Sequence, residues 1–108
     1  MRDVLLSVRP KLRALDVPEW GRVWVRQWSG QERAEFRKAY QAEDKESSRL
    51  DAVMLVMSVC DEQGNRVFDM SDVDRILCLP ASILDSVNSE ILTVNGLGPD
   101  NVEHAKKN

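Results

Sequence analysis

Residues 17–33 hold a turn, an alternating strand and a helix start in seventeen consecutive positions, and this punctuation constrains the fold more than any other segment. In Val17-Pro18-Glu19-Trp20-Gly21, Pro18 presets a tight turn and Gly21 supplies the positive φ that returns the chain. The turn separates two strand-like segments, 12–17 and 22–28. In the second, Arg22, Trp24, Arg26 and Trp28 alternate with Val23 and Val25, so a strand puts the first four on one face and the valines on the other. Ser29 then stands three residues before Glu32, the spacing of a capping box, in which each side chain satisfies the other's backbone N–H. A helix over 30–43 is predicted, with a narrow apolar stripe of Phe36, Ala39 and Tyr40. Residues 43–48 contain no apolar side chain and read as a linker or a solvated extension of that helix.

The centre of the protein is expected at 49–60. Ala52-Val53-Met54-Leu55-Val56-Met57 is apolar on nearly every side, as in a helix surrounded by other elements. A buried strand is the alternative, but length without a breaker, together with Leu, Met and Ala, favours the helix. Asp61-Glu62-Gln63-Gly64-Asn65 reads as a turn and Arg66-Val67-Phe68 as a short extended piece. Ser71 is expected to cap a helix whose first turn carries Asp72 and Asp74, and which ends at Leu79 because Pro80 disfavours helical geometry before it. Pro80 suits the opening of a last helix, with Ile83, Leu84, Val87, Ile91 and Val94 on one face and Asn95-Gly96-Leu97 as its close.

Residues 2–8 read as a helical turn or frayed arm interrupted by Pro10, and 98–108 as a flexible polar tail. The expected architecture is a single α+β domain over 1–97, mostly helical. It has an N-terminal β-hairpin at 10–28 and, over 30–97, about four helices packed around a central buried helix. Val53, Met54, Met57 and Cys60 should form the core with Ile76, Leu77, Leu84, Val87 and Ile91; Trp28 is assigned to it, and Trp24 either to it or to the exposed sheet face.

With 43% hydrophobic and 31% charged residues, a chain of 108 residues is expected to be globular with one modest core. The longest apolar run is far too short to span a bilayer, and Val4-Leu5-Leu6 is too short for a secretory leader. A cytoplasmic protein without membrane attachment is expected. Cys60 and Cys78 lack metal-type spacing and read as buried free thiols of a reducing compartment.

Charge is uneven along the chain. Residues 1–54 hold eleven Lys or Arg against nine Asp or Glu, whereas 55–108 hold four against nine, and 76–105 contain no Lys or Arg. A surface that tracks phosphates needs cations throughout, so the C-terminal third is not one.

Catalytic groups are sparse. The single histidine, His104, lies in the tail far from both cysteines, and the glycines form no phosphate-binding loop. No catalytic, cofactor-binding or metal-ligating residue is assigned. Residues 61–72 imitate a calcium loop, but Arg66 stands where such a loop needs glycine and brings a cation beside the ion. Residues 71–95 imitate a helix-turn-helix, yet the second helix carries Asp85 and Glu90 and no cation for a major groove. The Arg22, Trp24 and Arg26 face is the candidate site, because Trp and Arg dominate protein-interface hot spots.

These same segments resemble a family. Val17-Pro18-Glu19-Trp20-Gly21, the Val23-x-Val25-Arg26 strand and Ser29-Gly30-x-Glu32-Arg33 are similar to tail assembly chaperones of long-tailed (siphovirus-type) bacteriophages. So are Cys60-Asp61-Glu62-x-Gly64-x-Arg66-x-Phe68, Leu79-Pro80-Ala81 and the closing Asn95-Gly96-Leu97. The resemblance spans roughly 10–97 and departs at Trp28, where a smaller aliphatic residue is usual, and in the acidic 43–48 linker. It implies a non-enzymatic protein that coats the tape-measure protein in the host cytoplasm, recruits tail-tube subunits, and is absent from the mature virion. It also implies a longer frameshifted product, and the Lys and Asn codons of 105–108 suit a slippery run; the Arg22, Trp24 and Arg26 face is expected to serve partner binding or self-association. The competing reading is a small regulatory nucleic-acid-binding protein using Arg9, Lys11, Arg13, Arg22 and Arg26.

Overall fold

The computed structural model describes residues 1–42 and 49–97; the expected linker at 43–48 and tail at 98–108 lie outside the described residues. The fold is α+β, an antiparallel hairpin followed by helices. In order, the elements are α1 (Arg2–Leu6), β1 (Leu12–Val17), β2 (Gly21–Arg26), α2 (Gly30–Ala42), α3 (Arg49–Ser58), β3 (Val59–Cys60), a 3₁₀ turn (Met70–Asp72), α4 (Val73–Ile76) and α5 (Ala81–Val94).

In the hairpin, Leu12 lies opposite Arg26 and Val17 opposite Gly21. The Trp20 N–H closes the turn onto the Val17 carbonyl at 3.1 Å. Gly21 has the expected positive φ, 85°, but Glu19 is also left-handed at 76°. Pro18 followed by a left-handed residue is the type II arrangement, which favours glycine where Glu19 stands.

α3 packs against α2, α4 and α5, and residues 52–58 are all buried. Leu55 and Val56 on α3 are wholly excluded from solvent, as are Val87 and Ile91 on α5. Each such side chain contributes about 1.5–3 kcal/mol. The helix stops short of the expected Cys60, because Val59 and Cys60 are drawn into the sheet as β3, opposite Val25 and Trp24. The hairpin's inner strand offers unpaired backbone groups there, and a β-branched Val suits the exchange. Helix and strand, the alternatives for this segment, thus occupy it in succession.

Other local expectations shift. β2 ends at Arg26, and Trp28 does not share the face of Trp24: its N–H is taken by Asn95 Oδ1 at 2.8 Å, and its indole turns into the core. The cap before α4 is Asp69 rather than Ser71. Its carboxylate accepts the Ser71 N–H at 2.8 Å, while Asp72 reaches back to the Asp69 N–H at 3.0 Å. The Asp69–Asp72 pair satisfies two orphan N–H groups reciprocally, and the Ser71 hydroxyl is itself spent as a donor to Asp69. α4 itself is one turn and ends at Ile76, after which single hydrogen bonds carry the chain to Leu79. Tyr40 is 42% exposed instead of extending the inward stripe of α2, and Cys78 is exposed, leaving only Cys60 as a buried thiol. The expected core residues are otherwise buried, with Leu77 packed at the edge. Gly96, at φ 72°, lets the Leu97 N–H reach the Leu92 carbonyl at 2.7 Å and close α5 as anticipated.

Candidate protein-binding surface

The strand register divides the sheet into two faces. Val17, Val25 and Val59 point toward the helices and are buried. The opposite face carries Leu12, Ala14 and Asp16 from β1, Arg22, Trp24 and Arg26 from β2, and Cys60 from β3. β2 is the middle strand, so Trp24 sits at the centre of that face, between Ala14 and Cys60, and is half-buried.

The three candidate residues have different roles. Arg22 is exposed and pairs across the hairpin with Asp16, Nε to Oδ1 at 3.0 Å. That hydrogen bond and the guanidinium charge hold the Asp16 carboxyl below its ordinary range. Arg26 is instead drawn inward. It donates to the Gly64 carbonyl at 3.1 Å and to the Glu32 carboxylate, and only 22% of its side chain is exposed. Arg22 and Trp24 therefore share an open surface, while Arg26 anchors the 61–65 turn over one end of it.

Glu32 is the residue that sequence reasoning assigned to a cap and no more. It accepts the Ser29 N–H at 3.0 Å, while the Ser29 hydroxyl accepts the Glu32 N–H at 3.2 Å, so the capping box forms. Its other carboxylate oxygen takes Arg26 and also Arg66 Nη2, at 2.9 Å. Burial pushes the carboxyl up. The hydrogen bonds from Arg66, the Ser29 N–H and Arg26, with the Arg26 charge, outweigh it and hold the pKa at about 2. This ion cluster fastens β2, α2 and the loop after β3 together. The Glu32 capping box was a local signal; Arg66 lies 34 residues away and gave none.

The remaining candidates for chemistry are occupied structurally. Asp61 Oδ1 accepts the N–H groups of Gln63 and Asn65, both at 2.9 Å, which shapes the turn in place of a calcium loop. Among the described residues no cluster of three or more His, Cys, Asp or Glu has metal-binding geometry. Burial pushes the Cys60 thiol up, against the Arg26 charge and with that of Asp61, and its S–H points at the Trp24 carbonyl 3.6 Å away. A protonated, buried thiol is a packing group rather than a nucleophile. No described helix is long and apolar enough to cross a membrane.

No family model and no curated protein matches the sequence. Among solved structures, the tail assembly chaperone of bacteriophage HK97 superposes with a TM-score of 0.63 at 16% identity, over 86% of this chain and 91% of that one. This chain thus shares the fold of that tail assembly chaperone over most of both chains.

Proposed function

We propose that this protein is a tail assembly chaperone of a long-tailed bacteriophage. It acts without catalysis in the cytoplasm of the infected bacterium, where it binds the tape-measure protein, helps recruit tail-tube subunits, and is left out of the virion. The observation that carries this reading is the fold shared with the HK97 chaperone across most of both chains. The surface supports it. Arg22 and Trp24, with Arg26 holding the turn at one end, form a contact face in which an aromatic ring supplies area and guanidinium keeps the free surface hydrated. Self-association and a longer frameshifted form belong to the same reading.

A protein partner is favoured over nucleic acid by the way the cations are used. Arg13 pairs with Glu90, Arg22 with Asp16 and Arg26 with Glu32, so three of the five cations a phosphate surface would need are neutralised in place. Co-expression with the tape-measure protein of the same genome tests the proposal. The soluble fraction of that protein should rise several-fold; equal insolubility with and without this chain would refute the reading.

A further inference from the structure

α2, Trp28 just before it and Leu97 beyond the end of α5 line an apolar groove of about 290 Å³ away from the sheet face. Trp28 and Phe36 line it with ring centroids 5.0 Å apart, and Tyr40 and Leu97 form exposed walls. The Trp28 indole N–H is turned inward to Ser58 Oγ at 2.6 Å, so what the ring offers the groove is carbon. Arg33 and Arg37 also line it, both exposed, and neither is paired with a carboxylate among the described residues. This contrasts with Arg13, Arg22 and Arg26, whose charges are matched on the molecule itself.

We infer that this groove docks an amphipathic helix of a partner protein, with an apolar stripe flanked by Glu or Asp. The apolar walls take the stripe. The two unmatched guanidinium groups, four residues apart on one helix, lie about 6 Å apart along its axis. Carboxylates at i and i+4 of a facing helix repeat that spacing, and Arg offers each a forked hydrogen bond. An added β-strand would need free backbone groups, whereas these walls are side chains. The inference rests on the chaperone reading and names the chemistry of the segment it would hold.

The probe is a fluorescein-labelled helical peptide about five turns long, with a leucine stripe flanked by glutamates four residues apart. A twin carries lysine at each flanking position. Anisotropy should show the acidic peptide binding the full chain and the lysine twin binding at least about tenfold more weakly. Arg33→Glu with Arg37→Glu should reverse that preference at an unchanged melting temperature, and Tyr40→Ser should weaken both peptides. Equal binding of the twins, no binding of either to the parent, or no effect of the charge reversal would overturn the proposal. So would sedimentation showing that the double variant only dissociates a self-assembled form, which would place a second copy in the groove. Co-expression separates the two readings. If the double variant still solubilises the tape-measure protein as the parent does, the groove assignment fails and the chaperone stands. If the parent does not solubilise it, the chaperone reading itself fails.

Discussion

Glu32 on α2 receives Arg66 from the loop after β3 at 2.9 Å, in addition to closing the capping box with Ser29. The consequence is a pH-dependent clasp. The folded-state pKa of about 2 lies below the ordinary 4.5, so the stabilisation is complete above pH 4.5 and is lost as pH falls toward 2. Glu32→Gln should therefore melt well below the parent at pH 7, and the gap should narrow in acid. Parallel melting curves down to pH 2.5, on the order of the folded pKa, would show that the clasp carries no such stability.

Trp28 and Ser58 form a buried hydrogen bond of 2.6 Å that joins the end of the hairpin to the central helix. Trp28→Phe should cost about 1–3 kcal/mol, because the Ser58 hydroxyl loses its buried donor. Ser58→Ala should cost a similar amount by orphaning the indole N–H. The double variant should lose less than the sum, and chemical denaturation of all four proteins measures that coupling.

Met57 is 1% exposed on α3. Met57→Asp places a carboxylate where no partner exists and should cost several kcal/mol, comparable to the total stability of a small domain. The expected outcome is loss of the cooperative melt seen by circular dichroism. A variant melting like the parent would contradict the packing around α3.

Glu19 carries a side chain at φ 76°. Relieving left-handed strain yields about 1–2 kcal/mol, against which glycine brings extra unfolded-chain entropy. Glu19→Gly should raise the melting temperature by a few degrees. Gly21→Ala should lower it, and by backbone strain alone, since a Cβ there meets nothing within 4 Å.

Trp24 is half-buried at the centre of the open sheet face. Trp24→Ala should weaken capture of the tape-measure protein while lowering the melting temperature by no more than a few degrees. A large loss of stability with intact capture would make Trp24 a packing residue only.

The local features were legible because their causes are local. Pro18 and Gly21 set the hairpin turn, Ser29 and Glu32 the start of α2, and Gly96 the end of α5 through steric and hydrogen-bonding rules acting within a few residues. The all-round apolar pattern of 52–57 likewise required a buried central segment. The Asp69 to Asp72 spacing was also a readable cap, displaced by the nearby serine. What tertiary structure decided were the non-local choices. Val59 and Cys60 became strand because β2 presented unsatisfied backbone groups. Trp28 left the face of Trp24 because Asn95 and Ser58 lay within reach in the folded core. Arg26 became an anchor because the fold brings Glu32 and Gly64 beside it. Periodicity assigns a side chain to a face, but which partner stands opposite that face depends on contacts between residues tens of positions apart.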